Sequence, residues 1–143
     1  MSLRVRVPVA TGENLYLFQG FRELLESQAI AIATPDLQKV GGLGVASQIA
    51  YFADAQTIPL APHNISSPVG TLASAHFCAA IPNFLVLEFH GSDVPFWDDL
   101  VDGMPKPLIQ NGAIRVPDKP GLGVKLNEEV ARRYARKNEP FFE

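Results

Sequence analysis

The sequence has few of the features that mark membrane, secreted or nucleic-acid-binding proteins. Its 143 residues include one cysteine, Cys78, which excludes an internal disulfide and favours a reducing, cytoplasmic setting. No apolar run approaches the roughly 18–20 residues that span a bilayer, and the first residues lack the charged-then-apolar order of a secretory signal. With 12 Lys and Arg against 15 Asp and Glu, the net charge of -3 provides no basic footprint for nucleic acid. We therefore expect neither a nucleic acid nor a membrane as partner.

Apolar residues, proline and glycine are what the sequence has in quantity. Hydrophobic residues make up 47% of the chain and charged residues 19%, which is enough to build the core of one domain. The 12 prolines and 11 glycines imply many turns, which argues against a helical bundle.

Four short apolar runs recur along the chain, and an ionisable residue follows each of them. The runs cover residues 5–10, 29–33, 58–62 and 84–87, and the residues that follow are Glu13, Asp36, His63 and Glu88. These residues are spaced by 23, 27 and 25 positions. The runs are continuous rather than alternating, which is typical of strands buried on both faces of a parallel sheet.

Helical patterns fill the gaps between these runs. Apolar residues recur at the helical period over residues 21–28 and 43–56. A third helix is predicted over residues 68–80, with Ser67 as its N-cap and Pro68 at its first position. The order β-α-β-α-β-α-β, at about 25 residues per unit, predicts an α/β fold with parallel βα units.

The pattern changes after Glu88. An acidic, proline-containing loop with a short helical turn at residues 97–101 leads to Asn111-Gly112, whose apolar flanks predict a β-hairpin over residues 108–116. A charged helix is predicted over residues 127–138. We interpret residues 1–143 as a single partial domain, with four βα units over residues 4–88 and a C-terminal extension over residues 89–143.

The four ionisable residues are candidates for a shared active site. Side chains at the carboxyl ends of parallel strands converge, and neighbouring strands lie about 4.8 Å apart, so Asp36 and His63 are within hydrogen-bonding reach. The carboxylate then fixes the imidazole tautomer and makes His63 a general base. Glu13 is a candidate Mg²⁺ ligand, and a protonated Glu88 can donate to a developing oxyanion. This set suits proton abstraction next to a carboxylate, although each residue alone also fits a solvated loop position or a cap.

Five other residues have a structural interpretation beside a functional one. His90, two residues past Glu88, either points into the same pocket or lies outside it, whereas His76 is expected on a helix surface. Cys78 is expected in the core, with no partner that would make it a nucleophile. Lys39 and Lys106 remain candidate binders of phosphate or carboxylate, with no motif around them.

Several segments together resemble the last four strands of the enolase superfamily barrel. They are Val7-Pro8-Val9-Ala10-Thr11-Gly12-Glu13-Asn14, Pro35-Asp36 with Val40-Gly41-Gly42, Pro62-His63-Asn64, Phe84-Leu85-Val86-Leu87-Glu88 and Pro120-Gly121-Leu122-Gly123-Val124. The resemblance runs from about residue 4 to residue 127. It is to the mandelate racemase/muconate lactonizing enzyme-like branch, and within that branch to the sugar-acid dehydratases.

This resemblance implies a fold, a site and an activity. The fold is the C-terminal half, strands five to eight, of a TIM-type (β/α) barrel, followed by a hairpin and a short helix. Glu13 becomes the third carboxylate ligand of Mg²⁺, Asp36 and His63 the Asp–His pair of the sixth and seventh strands, and Glu88 the acid of the eighth. The implied substrate is a small carboxylate, a sugar acid. The implied reaction is dehydration, with racemisation or cycloisomerisation as the alternative within the superfamily.

The sequence also departs from the family. Members have a capping domain and four earlier strands, which hold a lysine base and two further Mg²⁺ carboxylates, and 143 residues do not contain these parts. We therefore expect the C-terminal half of an enzyme, inactive and weak in Mg²⁺ binding by itself, whose partner is the N-terminal half. The alternative from another class is a non-catalytic assembly module, in which two copies pair as a homo-oligomer.

Overall fold

Three helices alternate with short parallel strand segments in the first two thirds of the chain. The computed structural model describes residues 6–138 and 140–141. In chain order the elements are β1 (Ala10–Thr11), α1 (Leu17–Glu26), β2 (Ile32–Ala33), α2 (Gly42–Ala55) and α3 (Pro68–Ala80). This arrangement confirms the predicted α/β fold. Within the described residues, no helix has the length and apolar character needed to cross a membrane.

The predicted runs pair in parallel and in chain order. β1 pairs with β2 through Ala10 with Ile32, Leu60 bridges Ala33 on one side, and Leu60 bridges Phe84 on the other. The first and second runs form regular strands of two residues each, whereas the third and fourth runs form only single bridges and not the predicted strands. Val5 of the first run lies outside the described residues. Prolines within the first and third runs explain part of the shortening, because proline has no N–H to donate to a neighbouring strand.

Helix α1 begins four residues before the predicted start and ends two residues before the predicted end. The N–H of Leu17 donates to the carbonyl of Val40 at 3.1 Å, and the Phe18 ring meets Phe52 edge to face at 5.5 Å. Both contacts are to residues distant in sequence, so a local pattern does not reveal them. The helix ends at Glu26 with Ser27 as its C-cap, and the predicted last residue, Gln28, has a φ of 52°, in the left-handed region.

Helices α2 and α3 agree with prediction. α2 begins and ends one residue earlier than predicted, and α3 has the predicted bounds, with the Ser67 side chain accepting from the N–H of Gly70. The buried faces of α1 and α2 meet the strand segments in one apolar core, whose fully buried members are Phe21, Leu25, Ala33, Val40, Ala46, Ile49, Ala50, Ala53 and Leu60.

The C-terminal part contains the predicted hairpin and an unpredicted strand pair. β4 (Ile109–Gln110) and β5 (Ala113–Ile114) are antiparallel, and Asn111 and Gly112 have the positive φ angles of a tight hairpin turn. β3 (Val101–Asp102) pairs antiparallel with β6 (Lys125–Leu126). Sequence analysis missed this pair because two-residue strands 24 positions apart carry no periodicity.

The final helix is shorter than predicted. α4 (Glu128–Tyr134) follows Asn127, whose side chain accepts from the N–H of Val130 at 3.1 Å, and the predicted extension to residue 138 is wrong. Tyr134 stacks on Phe96 at 3.6 Å. A 3₁₀ turn at Asp98–Leu100 lies within the region predicted for a helical turn.

Trp97 attaches the C-terminal part to the βα units. Its side chain is buried beside Val69 of α3 and donates from Nε1 to the carbonyl of Ser66 at 2.9 Å. This attachment holds Trp97 against the segment between the third run and α3.

Candidate active site

Asp36 and His63 meet at the carboxyl ends of the second and third runs. They form a parallel β-bridge, and Nδ1 of His63 lies 2.9 Å from Oδ2 of Asp36. The other carboxylate oxygen, Oδ1, accepts from the N–H of Gln38 at 2.9 Å. Asp36 is buried, with 2% of its surface exposed, so the geometry of the carboxylate is set by these contacts.

The contact with Asp36 determines which nitrogen of His63 is free. Because a carboxylate accepts, Nδ1 carries the hydrogen and Nε2 is left with its lone pair. The side chain of His63 is 17% exposed, and Nε2 lies 3.8 Å from Oε2 of Glu88. That distance is too long for a hydrogen bond, but it is an ion-pair distance once the ring gains a proton.

Glu88 is held by neighbours on both sides. Oε1 lies 2.8 Å from Nε2 of His90, and Oε2 accepts from the N–H of Asn64 at 3.3 Å. The side chain of Asn64 also donates to the carbonyl of Glu88 at 3.0 Å. The sequence left open whether His90 points into the same pocket as Glu88 or lies outside it. In the structure, His90 lies at the site, in contact with Glu88.

Sequence analysis assigned no role to Asn64, although it flagged the Pro62-His63-Asn64 segment. Asn64 is 1% exposed and also exchanges hydrogen bonds with Thr71 of α3, at 3.0 and 3.2 Å. A polar residue directly after a buried strand is the signal that marks it, since such a side chain needs internal partners.

Glu13 lies at the same edge but apart from the other three residues. Its carboxylate accepts from the N–H of Gly12 at 3.3 Å, from Asn14 Nδ2 at 3.2 Å and from the Thr34 hydroxyl at 3.5 Å. The pKa of the Glu13 carboxyl is lowered, mainly by a hydrogen bond from its own backbone N–H. Desolvation opposes this effect but is smaller, and the N–H of Gly12 lowers the pKa further. Within the described residues, this carboxylate makes no hydrogen bond or ion pair with Asp36, His63 or Glu88.

Of the two lysines singled out in the sequence, only Lys39 lies at the site. Its Nζ is 3.7 Å from Oδ2 of Asp36 and 3.5 Å from the backbone carbonyl of Glu13. Lys106 instead pairs with Asp99 on the surface at 3.0 Å.

The remaining candidates lie outside this cluster. His76 is half-buried, with Nε2 3.4 Å from the carbonyl of Leu122. Cys78 is buried as predicted, and burial raises the pKa of its thiol to about 12, so it stays a neutral core group.

A complete metal site does not form from the residues present. Among the described residues, no group of three or more His, Cys, Asp and Glu side chains is placed to hold a metal ion. Mg²⁺ requires near-octahedral oxygen ligands, and Glu13 is one carboxylate whose oxygens already accept from neutral donors.

A cavity of about 420 Å³ lies behind the fourth run, between α3, residues 84–89 and the β4–β5 hairpin. Its lining is mainly apolar, and it includes Glu88 but neither Asp36 nor His63.

Comparison with known proteins places these features in a family. The chain is 47% identical to a D-xylonate dehydratase of Haloferax volcanii over 136 residues, which is 95% of this chain and 32% of the relative. It is 29% identical to a D-galactonate dehydratase of Ralstonia nicotianae, covering 95% of this chain and 37% of that protein. The chain thus spans about a third of the length of the curated relatives it matches.

A solved structure agrees with the sequence relatives. A mandelate racemase/muconate lactonizing enzyme-like protein from Rubrobacter xylanophilus superposes with a TM-score of 0.93 at 46% identity, covering 97% of this chain and 35% of that one. The family described as enolase C-terminal domain-like matches residues 1–130, and with this match the chain belongs to that family, in the mandelate racemase/muconate lactonizing enzyme-like branch of the enolase superfamily.

Proposed function

We propose that this chain carries the His63 half of the active site of a sugar-acid dehydratase. The observation that carries the proposal is the 2.9 Å contact between His63 Nδ1 and the buried Asp36 carboxylate, with Nε2 left free. The relatives named as D-xylonate and D-galactonate dehydratases support a sugar acid as the substrate class.

In the proposed reaction, Nε2 of His63 accepts the proton from the carbon next to the substrate carboxylate. The electron pair of that C–H bond passes into an enediolate. The bond between the β-carbon and its hydroxyl then breaks, and the hydroxyl leaves as water with the proton that His63 returns. The resulting enol becomes a 2-keto-3-deoxy acid. Asp36 holds the tautomer of His63 throughout and stabilises the imidazolium that forms after the first step.

Glu88 is proposed to contact the oxygens of the enediolate. Donation to an oxyanion requires a proton on Glu88, and His90 at 2.8 Å is positioned to supply one. Asn64 keeps the carboxyl group in place through its N–H and its side-chain amide.

Glu13 is proposed as the Mg²⁺ ligand that this chain contributes. Members of the superfamily that it resembles use Mg²⁺, but the donor set of the described residues does not fit a complete magnesium site. The further ligands must come from outside these residues, so the roles of His63, Asp36 and Glu88 are derived without the ion.

The complete reading frame that contains this chain provides the test. Purified protein is incubated with a panel of sugar acids in the presence of Mg²⁺, and the formation of 2-keto-3-deoxy acid is followed. Dehydration of at least one acid that is lost in His63→Asn supports the proposal. Racemisation of another α-hydroxy acid, with no dehydration of any sugar acid, would show that the racemase alternative is correct.

A second candidate, a non-catalytic assembly module, is favoured by the two outer edges of the strand set, against which no further strand lies among the described residues. Val7 beside β1 is 72% exposed, and Leu85 and Val86 of the fourth run are 53% and 54% exposed. Unpaired edges and apolar faces favour association. Two copies related by a two-fold axis would join the fourth run of each copy to the first run of the other.

Light scattering on the 143-residue chain distinguishes this candidate. A dimer with a cooperative thermal transition supports assembly, whereas a well-behaved monomer contradicts it. A monomer is the result expected if the homo-oligomer has no role. In that case, the same edges would accept the N-terminal half of a barrel instead of a second copy.

A further inference from the structure

We propose that Trp97 is a positioning residue that keeps His90 in contact with Glu88. It does so by joining the turn that carries His90 to the segment that follows His63. The inference deepens the proposed function and rests on it, because in that function His90 supplies a proton to Glu88. Sequence analysis assigned no role to Trp97, and the relatives' names do not point to it.

The first contact of Trp97 is with the segment that follows His63. Trp97 is 5% exposed, and its Nε1 donates to the carbonyl of Ser66 at 2.9 Å. The Ser66 hydroxyl in turn donates to the side chain of Gln38, whose backbone N–H donates to Asp36. Hydrogen bonds therefore connect Trp97 to both segments that hold the Asp36–His63 pair.

The second contact is with the residues on both sides of His90. The ring of Phe89 meets that of Trp97 edge to face, with centroids 5.0 Å apart. Gly91 lies so close to both rings that a Cβ atom there would be 2.9 Å from Cε2 of Trp97 and 2.7 Å from Cε2 of Phe89. Glycine, which has no Cβ, allows this approach of the backbone. The turn that carries His90 therefore rests directly on Trp97.

Two consecutive turns of the backbone bring Trp97 back to this position. The N–H of Val94 donates to the carbonyl of Gly91 at 3.2 Å, and the N–H of Trp97 donates to the carbonyl of Val94 at 3.0 Å. Val94 also packs in the apolar cluster that contains Trp97. A short, hydrogen-bonded segment therefore sets the spacing between Trp97 and His90.

The contact between His90 and Glu88 needs this support because both side chains are exposed. Nε2 of His90 lies 2.8 Å from Oε1 of Glu88, and the two side chains are 57% and 39% exposed. Within the part of the chain that the structure describes, the His90 side chain has no other hydrogen-bonding partner. An exposed side chain loses rotamer freedom when it is held in one contact, so the backbone beneath it must be held in place.

The test uses the ¹³C-labelled 143-residue chain, with all variants at the same pH. Nuclear Overhauser cross-peaks between the ring protons of His90 and the side-chain CH₂ protons of Glu88 report the contact. Trp97→Phe keeps an aromatic ring in the cluster but removes the donor to Ser66, and we expect these cross-peaks to be lost. Gly91→Ala places a methyl group between the turn and the Trp97 ring and should have the same effect.

Phe96→Leu is the matched control, because Phe96 directly precedes Trp97 but stacks on Tyr134 of α4. Its cross-peaks should match those of the wild type. Wild-type cross-peaks in folded Trp97→Phe, or their loss in folded Phe96→Leu, overturn the proposal. If Trp97→Phe does not fold, Gly91→Ala decides in the same way.

Steady-state kinetics of the complete reading frame give a second readout, which a loss of stability alone does not produce. Where the wild type dehydrates a sugar acid, Trp97→Phe should lower kcat by up to roughly 10²-fold, the cost of a misplaced group, and leave KM unchanged. KM is unaffected because the proposed contact of Glu88 is with the enediolate rather than with the bound substrate. A wild-type kcat in Trp97→Phe also overturns the proposal.

The cross-peak experiment is independent of the test of the proposed function. A complete reading frame without dehydration activity contradicts the proposed function but leaves the cross-peaks unaffected. Retained cross-peaks in Trp97→Phe contradict the role of Trp97 even where dehydration activity is found.

Discussion

Asn64 and Thr71 form a buried pair that connects the end of the third run to the first turns of α3. The Asn64 amide donates to the Thr71 hydroxyl at 3.0 Å, and the hydroxyl donates back to the amide oxygen at 3.2 Å. The same amide donates to the carbonyl of Glu88. Asn64 therefore couples the packing of a helix to the position of a candidate catalytic residue.

Replacing Asn64 with alanine should lower the free energy of unfolding by about 2 kcal/mol, because the Thr71 hydroxyl and the Glu88 carbonyl lose a buried donor. Thr71→Val keeps the shape of the side chain and should cost less, about 1 kcal/mol. Urea denaturation measures both values. Gln110→Ala, at an exposed position, is the control. A loss in Asn64→Ala no larger than in this control would contradict a structural role for the pair.

The buried thiol of Cys78 makes stability depend on alkaline pH. Burial raises the pKa of this thiol from 9.0 to about 12, so the unfolded chain loses the thiol proton first as the pH rises. The contribution of the neutral thiol to the free energy of unfolding is fully present below pH 9 and is lost as the pH rises towards 12. Over this range, the free energy of unfolding falls by at most about 1.4 kcal/mol per pH unit from this group.

The difference between wild type and Cys78→Ala isolates this effect, since lysines and tyrosines titrate in both proteins. We expect the unfolding free energy of the wild type to fall more steeply above pH 9 than that of the variant. Parallel curves from pH 8 to pH 11 would contradict a buried neutral thiol. At pH 8, a thiol reagent should react with Cys78 much more slowly than with an exposed cysteine, because the reaction requires the protein to open.

The 143-residue chain alone should not dehydrate sugar acids and should bind Mg²⁺ weakly or not at all. Only one carboxylate ligand is available among the described residues, and the loss of each base or electrostatic group costs roughly 10²–10⁴-fold in rate. Calorimetric titration with MgCl₂ and an assay for 2-keto acids check both expectations. Mg²⁺-dependent dehydration by this chain, abolished by His63→Ala, would require a self-assembled half-barrel enzyme instead.

In the complete reading frame, His63→Ala should reduce turnover by roughly 10²–10⁴-fold for substrates whose proton faces His63, because the general base is removed. Asp36→Asn should reduce it less, through loss of the Nδ1 tautomer, while Glu13→Gln should raise the Mg²⁺ requirement before it lowers the rate. Steady-state kinetics at varied Mg²⁺ separates these effects. His76→Gln, outside the site, should keep wild-type turnover, and equal losses in His76→Gln and His63→Ala would refute the assignment.

The sequence by itself determined the elements whose signals are local. Helix α3 has its predicted bounds because Ser67 caps it and Pro68 suits its first position. The hairpin forms where Asn111 and Gly112 accept positive φ angles. The Asp36–His63 contact was also predictable, since both residues follow buried runs that are neighbours in a parallel set, and strand spacing then decides the distance.

Only the tertiary structure decided the features that depend on distant partners. The start of α1 depends on the Val40 carbonyl, and the contact of Lys39 with the Glu13 carbonyl joins two segments that lie 26 residues apart. The position of Glu88 between His63 and His90 depends on Asn64, 24 residues earlier in the chain. A polar side chain can form hydrogen bonds and ion pairs with many possible partners. Residue type and spacing alone therefore do not determine which partner it has. Packing of the core decides this, because it brings only some of the possible partners within bonding distance.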